Sequence, residues 1–254
     1  MRYLNYARSL LCAAFIAALI TSGGCVRLST LDSDGLWKVV GVQCVDNQRS
    51  SGKPAPCTRV DFQRRYALLK DINGRAQYLL IPTDRVSGIE APEILYAGSP
   101  EYWQYAWNAG PYVDARLGTT LAANQLGLEI NSTTRRSQNQ FHIHIDCMRQ
   151  DVSAALAAHR DDPPGVFSPI VLDGHRFSVM RVTSLVDDSN PFRVVARSLG
   201  PQQQMRDQTI LVTGAGPDAA RDGWLIVHSG LDVEGGTGTA EGLMDHACGV
   251  ARAG

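Results

Sequence analysis

The sequence has almost no net charge, with 24 Lys and Arg against 25 Asp and Glu and a balance of -1 at neutral pH. It has no basic tract and no array of aromatic and basic residues, so a surface that captures nucleic acid is excluded. There is no low-complexity run and no short-period repeat, which argues against disordered tails and solenoids. None of its six cysteines forms a C-x-x-C pair, so the usual thiolate zinc knuckle is missing. Regular alternation of strand and helix patterns is also absent, and this counts against a doubly wound parallel sheet. The chain that remains has 254 residues, enough to bury a full core.

The first 25 residues stand apart from the rest. Arg2 and Arg8 precede an apolar stretch over residues 10–20, followed by small residues and Cys25. This pattern reads as a secretory signal or a short N-terminal anchor, although membrane spans usually need about 20 apolar residues. Ser-Gly-Gly-Cys25 loosely resembles a lipoprotein processing site but lacks the aliphatic residue three before the cysteine. In each case the arginines stay cytoplasmic and residues beyond a 26–35 linker are exported. Cys44, Cys57, Cys147 and Cys248 then lie in an oxidising compartment, and an even number there suggests two disulfides. Four cysteines allow three pairings. Cys44 with Cys57 closes a short polar loop, and Cys147 with Cys248 would then tie a central strand to the C-terminus.

Residues 36–42 open the folded body as helix or strand. Residues 66–71 and 77–82 read as strands around Asn73-Gly74, a strong hairpin signal. Residues 97–117 fit an amphipathic helix interrupted near Gly110-Pro111, and Tyr102, Trp103, Tyr105 and Trp107 are expected in the core rather than against a membrane. A short strand over residues 126–130 feeds the polar segment Asn131-Ser-Thr-Thr-Arg-Arg-Ser137, and residues 151–160 read as helix. Strand signals recur at residues 177–182, 192–196, 209–213 and 223–228. The expectation is an α+β fold built on antiparallel sheet, with a half over residues 36–160 and a strand-rich half over 161–254 packed on it. The second half has the pattern of a degenerate copy of the first.

The most informative segment is Gln138-Asn-Gln-Phe-His-Ile-His-Ile-Asp-Cys147. His142 and His144 alternate with Phe141, Ile143 and Ile145, so a strand places both imidazoles on one face. Three readings are open for the pair: two hydrogen-bonded structural histidines, two metal ligands awaiting a third, or a nucleophile acting on phosphorus. In the third, a neutral imidazole attacks and the neighbouring donors hold its tautomer. The isolated His175, His228 and His246 are read as structural, although each is also a candidate third metal ligand.

The spacing of Asn131, Gln138, His142 and His144 resembles the histidine-triad superfamily of nucleotide hydrolases and transferases, with Asp146 at the third triad position. More specifically, Leu36-Trp-Lys, Pro54-Ala-Pro-Cys57, Leu69-Lys-Asp71, Gln77-Tyr-Leu-Leu-Ile-Pro-Thr83, Ser87-Gly-Ile-Glu90, Ile130-Asn-Ser132 and Arg136-Ser-Gln-x-Gln-x-His-Ile-His-Ile145 resemble the CDP-diacylglycerol pyrophosphatase family. The resemblance continues weakly to Asp245-His246-x-Cys248. It implies a histidine-triad-like sheet with flanking helices and a metal-free, cofactor-free hydrolase anchored in the bacterial inner membrane, with its catalytic domain on the periplasmic side. In that register His144 attacks the phosphorus bearing cytidine, phosphatidate leaves, and water releases CMP, while His142 orients a phosphate oxygen. Asn131, Ser137, Gln138 and Gln140 are the implied donors to phosphate, and Lys70, Arg135 and Arg136 the candidate counter-charges. The implied partner is CDP-diacylglycerol at the membrane surface. The competing readings are a metal-dependent phosphohydrolase and a non-catalytic envelope protein that binds nucleotides.

Overall fold

A computed structural model describes residues 32–231 and 236–252. The leader, Cys25 and residues 26–31 of the linker lie outside the described residues. The chain enters as α1 (Gly35–Trp37), continues through a π-helical turn over Lys38–Cys44, and ends in α2 (Val45–Ser51). Gly52 stops it in the left-handed conformation that an αL cap requires. The ambiguous segment over residues 36–42 is therefore helical. Cys44 pairs with Cys57, which ties this helix to the edge of the sheet.

The strands are β1 (Arg59–Asp61), β2 (Tyr66–Lys70) and β3 (Tyr78–Pro82), followed by α3 (Tyr102–Trp107) and α4 (Gly110–Leu117). Then come β4 (Leu126–Ile130), β5 (Ile143–Cys147), α5 (Gln150–Leu156), β6 (Ser168–Leu172) and β7 (His175–Val182). The chain closes with α6 (Pro191–Ser198), β8 (Gln208–Gly214) and β9 (Trp224–Gly230). All nine strands join one sheet in the order β1-β2-β3-β5-β4-β8-β9-β7-β6, and every paired neighbour is antiparallel. The α+β expectation with antiparallel sheet holds. A hairpin, a helical segment and a second strand pair occur twice, as β2–β3, α3–α4, β4–β5 and as β6–β7, α6, β8–β9. The two sets meet where β4 pairs with β8.

Residues 192–196 are a correction, being helix α6 rather than a strand. Asn190 accepts a hydrogen bond from Phe192 N at 3.0 Å and Pro191 fills the first helical position, so the local start signal overrides the β-branched pair Val194-Val195. Residues 97–117 break into α3 and α4 as expected. Gly110 sits so close to β4 that a Cβ there would fall 2.7 Å from Leu126 Cδ2.

One face of the sheet carries the larger apolar core. Leu68, Leu80, Ile143, Leu128, Val212 and Ile226 pack beneath α3, α4 and α6, with Trp103 fully buried 5.1 Å from the Phe192 ring. Tyr102 and Trp103 are core residues, and Tyr105 and Trp107 pack against that core. The other face is not uniform. Leu79, Ile81 and Ala67 join Leu36, Val40 and the Cys44–Cys57 bridge at one end. Leu211, Leu225, Val227 and Phe177 join Val152 and Leu156 of α5 at the other. Between these two clusters the pattern turns polar.

Candidate active site

The register across the sheet fixes where the polar patch lies. Leu79 stands opposite His144, His144 opposite Glu129, Glu129 opposite Leu211, Leu211 opposite Val227, and Val227 opposite Val179. One cross-strand row thus runs apolar, histidine, glutamate, then apolar three times. Side chains in such a row are direct neighbours. His142, His144 and Asp146 share that face because Phe141, Ile143 and Ile145 take the other, where the apolar core is. All three polar residues are buried.

Above the row lies a pocket of about 690 Å³. Leu36, Val39, Leu69 and Ile72 form an apolar wall, and Asn131, Arg135, Ser137 and Glu241 a polar one, with His142 and His144 among the lining residues. Ile72, at the tip of the β2–β3 hairpin, is 97% exposed. The Asn73-Gly74 turn there is wider than a two-residue hairpin because Asp71 accepts from Asn73 N at 2.9 Å and Lys70 Nζ donates to the carbonyls of Asp71 and Gly74.

The two imidazoles differ. His142 Nδ1 lies 2.7 Å from the Gln140 carbonyl, and among the described residues its Nε2 has no hydrogen-bond partner. His144 Nδ1 lies 2.8 Å from Gln77 Nε2, which also donates to Asp71 Oδ2 at 2.8 Å. His144 Nε2 is buried without a hydrogen bond, 4.0 Å from Glu129 Oε2, which is likewise buried and unpaired. The ring centroids are 5.0 Å apart. Burial, with His144 adding to it for His142 and His246 adding to it for His144, pushes both pKa values down to about 4, so both rings are neutral near pH 7.

Glu129 is fully buried, and among the described residues no Lys or Arg is bonded to it. Its Oε1 accepts from Thr209 Oγ1 at 2.8 Å and Ala240 N at 3.2 Å. Burial raises its pKa from 4.5 to about 8, so the carboxyl stays protonated at neutral pH. The unfolded chain ionises this group near 4.5 and the folded chain only near 8, so its contribution to stability is full below 4.5 and is lost as pH rises through 8. Glu129→Gln removes the ionisation. Thermal unfolding of the variant at either end of that window should show a smaller fall in Tm with rising pH than the unmutated chain; an equal fall would contradict the assignment.

The structure gathers only part of the expected set at the pocket. Asn131, Ser137, Gln138 and Lys70 reach it with the two histidines. Asn131 donates to Glu241 Oε2 at 3.2 Å and keeps Oδ1 buried and unpaired. Gln138 accepts from Leu36 N at 2.8 Å and donates to Asp32 O at 3.2 Å, so its amide fastens the polar loop to the start of α1. Gln140 and Arg136 do not line the pocket. The Gln140 amide donates to Asp84 O at 2.9 Å and to Pro82 O at 3.3 Å. Arg136 forks onto Glu90; although burial opposes it, that ion pair holds the Glu90 carboxyl down at about 2. Arg135 is the arginine that lines the pocket, with Nε on the Thr237 carbonyl at 3.3 Å.

Sequence reasoning missed Gln77, Glu129 and Glu241. An acidic residue inside the apolar strand Leu-Gly-Leu-Glu-Ile130 was the available signal for Glu129. His246 is not isolated: its Nδ1 lies 2.8 Å from Asp146 Oδ2, and that hydrogen bond raises its pKa. The Cys147–Cys248 disulfide holds the segment that carries His246 against β5. His228 lies elsewhere, against Phe167 with its Nδ1 on Gln208. Among the described residues the histidine pair belongs to no cluster of three or more potential metal ligands, and the cluster that exists, Asp146 with Cys147 and Cys248, has both sulfurs in a disulfide.

Residues 31–252 match a protein family described as CDP-diacylglycerol pyrophosphatase. A CDP-diacylglycerol pyrophosphatase of Yersinia pestis is 34% identical over 247 residues, covering 96% of this chain and 95% of the relative.

Proposed function

We propose, from the premise that this chain belongs to the CDP-diacylglycerol pyrophosphatase family and is a hydrolase, that it splits CDP-diacylglycerol into CMP and phosphatidate through a cytidylyl-histidine intermediate on the His142–His144 pair. The observation that carries this reading is the two-sided pocket. An apolar wall of Leu36, Val39, Leu69 and Ile72 meets a polar wall over two neutral imidazoles. A lipid nucleotide has the same division. Its glycerol and acyl end would run along the apolar wall toward exposed Ile72, and its pyrophosphate would lie over the histidines, facing Arg135, Asn131 and Ser137. Neutral donors there would stabilise the charge that builds on the non-bridging oxygens.

In the first step an imidazole nitrogen forms a bond to the phosphorus bearing cytidine, and the bond to the bridging oxygen breaks. The electron pair leaves on phosphatidate. In the second, water attacks the same phosphorus, the N–P bond breaks, and the water oxygen ends on CMP while its protons pass to solvent. One group is thus nucleophile and then leaving group.

The signal-like pattern of the first 25 residues and the two disulfides support a site on the periplasmic side of the inner membrane. An N-terminal anchor would keep the enzyme near a substrate whose tails stay in the bilayer. Among the described residues no helix is long and apolar enough to cross a membrane, so that anchor would lie in the leader. The repeated hairpin–helix–strand-pair order supports a histidine-triad-like sheet with a degenerate second copy. That copy's matching face carries Leu211, Leu225 and Val227 in place of a second site.

The test is turnover of CDP-diacylglycerol in detergent micelles with and without EDTA. CMP and phosphatidate should form at the same rate in both. Loss of activity with chelator and its recovery with zinc would support the metal-dependent reading instead.

A further inference from the structure

We infer that the nitrogen that attacks phosphorus is His142 Nε2, and that His144 is a positioning residue whose two ring nitrogens are buried. This rests on the cytidylyl-histidine route above and reverses the order that the triad register implies.

A neutral imidazole carries one N–H and one lone pair, and its partners decide which nitrogen has which. His142 Nδ1 faces a carbonyl, which can only accept, so Nδ1 holds the proton and the lone pair lies on Nε2. Among the described residues that nitrogen has no hydrogen-bond partner, and the ring lines the pocket. As the N–P bond forms the ring becomes cationic, and its N–H to the Gln140 carbonyl strengthens as a charge-assisted bond. The carbonyl is well held. The Gln140 amide is fixed on Pro82 and Asp84, and Phe141 N donates to the Val86 carbonyl at 2.7 Å.

His144 is arranged in the opposite sense. The Gln77 amide nitrogen stands between His144 Nδ1 and the Asp71 carboxylate, both at 2.8 Å. Turning the amide round would press its oxygen against that carboxylate, so the nitrogen belongs where it is. His144 Nδ1 therefore accepts and Nε2 carries the proton. Nε2 is buried without a hydrogen bond, 4.0 Å from Glu129 Oε2. His144 has no lone pair to offer a substrate unless its proton moves and Gln77 turns. In its observed place the ring packs edge-on to His142 and covers Glu129.

The experiment mixes the enzyme briefly with CDP-diacylglycerol labelled in cytidine and quenches in base, where phosphoramidates survive. The cytidylyl peptide is then sequenced by mass spectrometry. The label is expected on His142, absent in His142→Gln, and still present but formed more slowly in His144→Gln. Chemical rescue gives a second measure: added imidazole should restore turnover to His142→Gly and not to His144→Gly. Label on His144, or rescue of His144→Gly alone, overturns the assignment and leaves the covalent route standing. An unlabelled enzyme that still turns over overturns both.

Discussion

His142→Ala is expected to lower turnover of CDP-diacylglycerol by on the order of 10⁴-fold with little change in KM, about 5.5 kcal/mol of transition-state stabilisation. The loss is large because the variant lacks the attacking atom, whereas the pocket walls that bind the lipid nucleotide are untouched. His142 is buried to 7% exposure, so thermal unfolding must be measured alongside the kinetics. A variant that melts normally yet keeps more than a tenth of the activity would contradict the account. The unmutated enzyme adds a pH signature. Burial holds the His142 pKa at about 4, so the neutral nucleophile persists down to that value. Activity should fall only as pH drops through about 4, not through the ordinary 6.5. A fall centred near 6.5 would mean that the ring is solvated.

Cys248→Ser, paired with Cys147→Ser so that no thiol is left over, is expected to lower Tm by about 10–20 °C. This bridge closes a loop of 101 residues, against 13 for Cys44–Cys57. On loop entropy the long closure is worth about 4–5 kcal/mol and the short one about 3. The site is affected as well. Without the bridge the tail is free to carry His246 away from Asp146, a buried carboxylate whose remaining donor among the described residues is then the Cys147 N–H. Differential scanning calorimetry of the two double variants tests the ranking. Equal losses, or a larger loss for the Cys44–Cys57 variant, would mean that the C-terminal segment holds its place without the bridge.

What could be read from the sequence was local or strictly periodic. The Asn73-Gly74 hairpin, the antiparallel sheet, the histidine strand and the Cys44–Cys57 pair all rest on short-range pattern or on simple closure, and Cys147–Cys248 is the pair that this closure leaves. Residues 192–196 were misread because two adjacent valines outweighed the Asn190-Pro191 helix start. The division of labour between side chains was harder to see. Gln138 and Gln140 look equivalent as donors in the sequence, yet one fastens the N-terminal helix and the other fixes the carbonyl behind His142. The tautomer of His144 depends on Gln77, 67 residues earlier, and its burial on Glu129 in the neighbouring strand. His246 reaches the site from 100 residues beyond Asp146. Such contacts arise from sheet order, and a single sequence does not encode that order in any local pattern.

The central claim is that hydrolysis proceeds in two displacements at the cytidine phosphorus through an enzyme nitrogen. Each in-line displacement inverts that centre. The most direct test uses CDP-diacylglycerol made chiral at the cytidine phosphorus with sulfur and hydrolysed in ¹⁸O-water. The account predicts that ¹⁸O appears in the CMP thiophosphate with net retention of configuration. Net inversion, or ¹⁸O found in phosphatidate, would contradict it.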